Sequence, residues 1–415
     1  MLTRQTKKIL AIGKNQTRNL QKFLTGQSLT APSLSSMTLD EDDVVLAKAL
    51  ISNPSSWDEK KIISQYEMEF SRWNNSKFAF AFMSGRVSLS ACIYALNLQP
   101  GDEVILPAYT CVVVPNAFYF AGIKPVYCDI ELETYGLDVN EVKAHITPRV
   151  RAILLHHLYG LVCRDYHAIL DLAKCYSLSV IEDCCHATGA KYRGEKVGNL
   201  GDVAFYSSEQ SKIFNTIQGG FSTTNNLELA NKMKEYYNCA AYPDSVWIQK
   251  QLYNVLLNFY ECKHPKKWIL RDIIQLRYGH KRLLSTTAEE EKGIRPKHYG
   301  CKMPAPIAAI GSNQIKKLDY YNSRRRETAK YWDIWCENNN YTKPVVIDNS
   351  VPVYLRYPVL VEPFKKQNRS WANKQLGVDL GIWFASNIHP SKNIKGFPKA
   401  DKAVECCINL PCLMQ

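Results

Sequence analysis

The sequence predicts an α/β fold: a largely parallel sheet covered on both faces by helices, followed by a smaller C-terminal α/β domain. Three observations carry this expectation. From Phe78 onward, short apolar runs alternate with stretches of helical period. Strands that alternate with helices imply parallel pairing, because parallel neighbours need a long crossover and a helix supplies it. The chain has 415 residues, more than one ordinary core organises, so a second domain is expected.

Residues 1–39 contain no acidic side chain and hold Arg4, Lys7, Lys8, Lys14, Arg18 and Lys22 among Ser, Thr and Gln. They read as a mobile basic arm, a composition that overlaps with organelle transit peptides. Residues 40–72 read as helical, with Leu46, Leu50 and Ile51, then Ile62, Tyr66 and Phe70, on spaced faces. Seven strands are expected, at 78–83, 103–106, 124–128, 151–155, 178–182, 203–206 and 220–223. Helices fit between most of them, at 86–97, 111–121, 138–145, 165–175 and 227–238. The segment 241–300 breaks this rhythm with aromatic and basic residues; Leu252, Leu256 and Tyr260 share a helical spacing, and Leu257 lies beside that stripe. A long helix is expected from about Ala305 to Asn338. The expected domains are the arm, a large domain over 40–325 with 241–300 as a helical insertion, and a small domain over 326–415 that ends abruptly at LPCLMQ, as a pared-down or truncated version would.

Composition narrows the function classes. Hydrophobic residues make up 46% and charged residues 22%, which suits a globular chain. No run of eighteen apolar residues is present to span a membrane as a helix. The fourteen cysteines include the adjacent pairs Cys184–Cys185 and Cys406–Cys407, and no Cys-x-x-Cys is matched by a second such pair or by spaced histidines. That argues against both a disulfide framework and a metal site. With no secretory signal peptide, reduced thiols in a cytoplasmic protein are the simplest account. The net charge of +13 reads either as plain solubility or, more sharply, as a match for an anionic partner such as a nucleotide sugar or a lipid headgroup. Nucleic acid ranks last, since no zinc-finger or RNA-binding fingerprint is present. The 241–300 segment sets Lys263, Lys266, Lys267, Arg271, Arg277, Lys281 and Arg282 among aromatics, so a peripheral membrane contact competes there with a helix packed on the domain or at a dimer interface.

Ligand sites in such folds lie at the carboxyl ends of the strands, and three strand-end segments stand out. Ser84, Gly85 and Arg86 open a helix after the first strand; a helix N-terminus offers unpaired N–H groups and a positive dipole end, and Gly85 permits close approach of a phosphate. Asp183 lies at the end of the strand 178–182 within the run Ile181–His186; a carboxylate flanked by apolar residues needs a cationic or donor partner, and a protonated pyridine nitrogen is one. Lys212 follows the strand 203–206 in SSEQSK, with Gly219 and Gly220 beyond, a setting that suits a Schiff-base nucleophile, and Ser207 can add a hydroxyl to a phosphate. Each alone has a plainer reading: a helix cap, a loop-capping Asp, a surface lysine.

Together these segments resemble the DegT/DnrJ/StrS family of pyridoxal phosphate (PLP)-dependent sugar aminotransferases, which have the aspartate-aminotransferase (type I) fold. The resemblance runs from about Phe78 to Tyr331, interrupted by 241–300. It is carried by SGRVSLSACIYALNLQPGDEVILPAYT, SVIEDCCHATGAKYRGEKVGNLGDVAFYSSEQSKIFNTIQGG and MPAPIAAIGSNQIKKLDYYNSRRRETAKYW among others. It implies that Lys212 is the Schiff-base lysine, that Asp183 faces the pyridine nitrogen, that Ser84, Gly85 and Arg86 form the phosphate-binding turn, and that Ser207 contacts the phosphate. His186 stands where many members have Gln near the ring hydroxyl. Cys111 stands where many place an aromatic ring on the cofactor face, with Tyr109 two residues earlier. Gly300 stands where an Asn commonly reaches the neighbouring subunit's phosphate, and Glu209 replaces a usual aromatic or His. The resemblance further implies a homodimer, glutamate as amino donor, a nucleotide-linked keto sugar as acceptor, and ping-pong kinetics. A lysine at 212 favours amine transfer over the dehydration associated with His there. The second reading is a catalytically inactive PLP-fold scaffold or sensor, at a membrane surface in one version, which the missing aromatic and short tail favour and the intact Asp183–Lys212 pair argues against.

Overall fold

The apolar runs between Phe78 and Thr224 pair into one seven-stranded sheet in the computed structural model, which describes residues 34–264, 286–296, 299–390 and 392–414. The strands are β1 (Phe78–Phe82), β2 (Glu103–Pro107), β3 (Lys124–Cys128), β4 (Val150–His156), β5 (Ser179–Asp183), β6 (Val203–Ser207) and β7 (Gly220–Thr224), in the spatial order β1-β7-β6-β5-β4-β2-β3. From β6 to β3 every pairing is parallel. β7 runs antiparallel between β1 and β6. The strand reading therefore stands within about two residues at each end.

The sheet is buried on both faces, and that is why its strands read as near-continuous apolar runs. Side chains alternate between two cores. Along β4, Ala152 and Leu154 join a core with Leu89, Phe118 and Met233, while Ile153 and Leu155 join the larger core on the other side, with Tyr66, Phe70 and Tyr206. The covering helices are α1 (Glu41–Ser52), α2 (Lys60–Asn74), α3 (Gly85–Ala95), α4 (Val113–Phe120), α5 (Val139–Ala144), α6 (Tyr166–Cys175), α7 (Leu227–Cys239), α8 (Ser245–Lys263), α9 (Ala305–Ile315) and α10 (Leu318–Asn338).

Three expectations are corrected. The helical stretch 40–72 is interrupted at Pro54, where a 3-10 turn over Pro54–Asp58 separates α1 from α2; proline disfavours the helical conformation of its predecessor and donates no hydrogen bond. The long helix from Ala305 is two helices. The chain breaks at Lys316–Lys317, where Lys317 Nζ meets Asp42 at 2.8 Å and Asp43 at 2.6 Å, and Gly311 brings α9 so close to α2 that a Cβ there would lie 2.4 Å from the Tyr66 ring. The basic arm does not extend to residue 39. Residues 35–39 are buried, with the Ser36 N–H donating to the Gln210 carbonyl (2.9 Å) and Arg356 Nη2 donating to the Ser35 carbonyl (2.9 Å).

The C-terminal part pairs β8 (Arg356–Leu360) antiparallel with β9 (Cys407–Pro411). A short parallel bridge joins Ile388–His389 to Thr110–Cys111, bringing a C-terminal loop onto the strand ends of the large sheet. Within 241–300, α8 buries Leu252, Leu256 and Phe259 against the domain, with Leu257 and Tyr260 partly buried. Lys266, Lys267, Arg271, Arg277, Lys281 and Arg282, on which the membrane-surface reading leans, lie outside the described residues. Among the described residues no helix is long and apolar enough to cross a membrane.

Candidate active site

Three elements end at one place. β5 delivers Asp183 and β6 delivers Ser207. α3 starts beside them, with Ser84 as its N-cap. Helix and strand meet closely here: a Cβ at Gly85 would stand 3.0 Å from Ser207 Cβ and 3.3 Å from Cys185 Sγ, so glycine is what this approach allows. The loop from Ser208 to Gly219 carries Lys212. The Ser208 N–H donates to the Gly219 carbonyl and the Gln210 N–H to the Ile217 carbonyl, so this loop is a stiff hairpin. α8 braces it from behind: Gln251 donates to the carbonyls of Thr216 (3.0 Å) and Gln218 (2.7 Å), and Asn258 accepts from Asn215 (2.9 Å). The unusual insertion thus contributes a buried polar face that holds the lysine loop.

Ser84, Gly85, Arg86, Cys111, Asp183, His186, Ser207 and Lys212 all line a single cavity. Lys212 Nζ lies 2.8 Å from His186 Nε2. Asp183 Oδ1 accepts from the Cys185 N–H at 2.9 Å, and burial pushes its carboxyl above the usual carboxylate range. Burial, followed by the neighbouring Lys212, holds His186 well below the ordinary imidazole value. The Cys111 and Cys185 thiols are raised, again by burial first.

One residue sits differently from the sequence reading. Arg86 enters the cavity wall, but its guanidinium pairs with the buried Glu290; what α3 turns toward an anion is its backbone start rather than an uncommitted cation. Tyr109 does not reach the cavity. It is buried behind, its hydroxyl 3.0 Å from that of Tyr159 and accepting from the Phe384 N–H at 2.9 Å. Gly300 is placed near Arg295 and does not line the cavity. Glu209 does, its carboxylate accepting from the Ser211 N–H at 2.9 Å.

Sequence reasoning missed the C-terminal and insertion contributions. Trp383, Phe384 and His389 close the cavity from the C-terminal part, and Thr286 from the insertion. Trp383 stacks on the His186 ring (centroids 4.6 Å apart, planes 23° apart), and its ring centre lies 4.8 Å from Lys212 Nζ, so aromatic surface absent at Cys111 arrives from the C-terminal part of the chain. Glu290 was findable: Thr287–Glu290 forms a capping box, and its Thr-x-x-Glu spacing is visible in the sequence.

The model of the DegT/DnrJ/EryC1/StrS aminotransferase family matches residues 39–261 and 273–415. The chain belongs to this family. It is therefore a PLP-dependent aminotransferase of the type I fold. Among curated relatives, the GDP-perosamine synthase of Caulobacter vibrioides is 41% identical over 174 residues, a match spanning 42% of this chain and about half (47%) of that protein. The GDP-perosamine synthase of Escherichia coli O157:H7 is 31% identical over 291 residues, covering 69% of this chain and 66% of that protein. The fold matches the crystal structure of S. venezuelae DesV in complex with a ketimine intermediate, with a TM-score of 0.69 at 22% identity over 93% of this chain and 94% of that one.

The cavity fits PLP on its own chemistry. The start of α3 opens into it and could hold a phosphate, the half-buried Asp183 carboxylate could pair with a cationic ring nitrogen, and the Lys212 amine stands within the same walls.

Proposed function

We propose that this aminotransferase moves an amino group from glutamate to the carbonyl carbon of a keto sugar carried on a nucleotide, with PLP held at Lys212. The observation that carries this reading is the convergence of Lys212, Asp183 and the α3 start on one cavity. The printed names of the relatives, GDP-perosamine synthases and a dTDP-amino-sugar transaminase, support a nucleotide-linked acceptor.

In this reading the N–H groups at the start of α3 and the Ser207 hydroxyl hold the phosphate, and Asp183 holds the ring nitrogen protonated. Bound there, PLP supplies an electron sink for the bond broken at the donor's Cα. Lys212 Nζ takes the proton from that Cα and later returns one, as general base and then acid. Trp383 and Phe384 cover the amine and limit water access to it. A diphosphate-bearing acceptor suits the positive net charge of the chain.

The test supplies glutamate and measures 2-oxoglutarate, then adds GDP- and dTDP-linked keto sugars and follows the amino sugar by mass. Release of 2-oxoglutarate in an amount matching the enzyme, and its continuous release only with a sugar acceptor, is the expected result. Absence of release from PLP-loaded protein contradicts the donor assignment.

A further inference from the structure

A second groove lies along the free edge of the large sheet and shares no residue with the active cavity. Its floor is the first half of β1, its walls are α2 and α7, and Tyr242 and Lys302 complete it. At about 680 Å³ it has the size of a small-molecule site. Most of the strand edge is already covered. The outward N–H of Met83 donates to the Cys301 carbonyl (3.1 Å) and that of Ala81 to Glu67 Oε1 (2.8 Å), while the Ala81 carbonyl accepts from the Met303 N–H (3.1 Å). By the same alternation the N–H and C=O of Ala79 point outward into the groove, and among the described residues they have no partner. One open residue is too short for an added peptide strand, but it sets a donor and an acceptor side by side.

Charge and aromatic surface surround that open residue. Lys60, Lys77, Lys234 and Lys302 line the groove, and none of them forms an ion pair among the described residues. The one acid in the lining, Glu67, is turned to the Ala81 N–H, and burial pushes its pKa up to about 7, so it offsets little of that charge. Lysines at a sheet edge also serve to keep stray strands away, and solvated side chains suffice for that. Lys302 is held instead. It is half-buried, its backbone N–H donates to the Ala241 carbonyl (3.0 Å), and its ammonium lies 5.1 Å from the ring centre of Tyr237 and 4.8 Å from that of Tyr242. Phe78 and Phe80 add half-buried ring surface, Phe80 with its centre 6.0 Å from that of Tyr237.

We propose that this groove is a second ligand site, separate from the active cavity, for a nucleoside diphosphate. The base lies on the Phe and Tyr surface with its polar edge at the Ala79 N–H and C=O, and the lysine ammonium groups take the diphosphate. The test uses the full chain and the periodate-oxidised dialdehydes of ADP, GDP, UDP and CDP, which form imines with lysines beside a bound ribose and are fixed by borohydride. Peptide masses then locate the label. At least one of the four should label the peptides of Lys60, Lys77, Lys234 or Lys302 ahead of other lysines, and the matching unmodified nucleotide should suppress that label where inorganic diphosphate at equal concentration does not. In equilibrium dialysis, Lys60→Glu combined with Lys234→Glu should weaken binding of the same nucleotide by about tenfold. Both side chains are exposed, so the variant is expected to fold and to keep its activity toward the amino donor. Label spread evenly over the surface lysines or confined to Lys212 would overturn the proposal. So would equal suppression by diphosphate, which marks a bare anion site, or a double variant that binds as the wild type does.

Discussion

Glu182 and Asp183 are neighbours on β5, both carboxylates, and they live in opposite worlds. Glu182 points into the large core and is fully engaged. It accepts from the Tyr166 hydroxyl (2.5 Å), His157 Nε2 (3.2 Å) and the backbone N–H groups of Gly198 (2.7 Å), Leu200 (3.0 Å) and Gly201 (2.5 Å). Burial works against its charge, yet these donors hold its carboxyl below the ordinary value. Asp183, one residue on and therefore on the other face of the strand, opens into the cavity, where burial raises it. A buried carboxylate saturated by protein donors is a structural part. One turned toward a cavity beside a lysine amine is prepared for a partner from outside the chain.

That contrast can be broken or sharpened by experiment. The largest effect belongs to the cavity side. Lys212→Ala should lower transamination by about 10⁴-fold or more while the melting temperature barely moves, as measured by turnover and calorimetry. Next, Asp183→Asn should lower kcat by about 10²- to 10³-fold, again with stability within about 1 kcal/mol, since Asn can still accept the Cys185 N–H. The reverse pattern is expected on the core side: Glu182→Gln sets an amide N–H₂ against several donors and should cost about 3 kcal/mol in denaturant unfolding, with far less effect on kcat in the protein that remains folded. If Glu182→Gln were stable and Asp183→Asn fully active, the division between the two faces would be wrong.

The smallest effect is acid sensitivity. His156 is fully buried, its Nε2 2.7 Å from the Tyr135 carbonyl, and burial lowers its pKa to about 4. Its folded-state pKa lies below its unfolded one near 6.5, so the unfolded chain binds more protons between those values. Stability is therefore present above about pH 6.5 and is lost as pH falls toward about 4. Unfolding free energies at about pH 7 and about pH 5 should differ by about 2 kcal/mol from this residue, and His156→Phe should reduce the total difference by about that amount, leaving the share of His186 and His389.

Most of the seven-stranded sheet was legible because its central strands are buried on both faces and its crossovers are helical, so period and apolarity changed together. Gly85, Asp183, Ser207 and Lys212 were legible for the same reason: each sits within a few residues of a strand end. Asp183 and Glu182 could be told apart only by register, which the alternation of a buried strand does not show. Trp383, Phe384 and His389 were not legible at all. They lie in a loop without periodicity and reach the cavity through the pairing of Ile388–His389 with Thr110–Cys111, a long-range contact that no local pattern encodes. The break between α9 and α10 escaped because no Gly or Pro marks Lys316–Lys317, and the interruption coincides with the tertiary ion pairs of Lys317.

The central claim is that PLP sits on Lys212 opposite Asp183. It is tested most directly by adding PLP to the purified chain, fixing the complex with borohydride and locating the added mass. The account predicts a visible absorbance band that glutamate shifts to shorter wavelength, and after borohydride a single tag on the Lys212 peptide that is missing in Lys212→Ala. A folded protein that takes up no PLP, or a tag on another lysine, would contradict it.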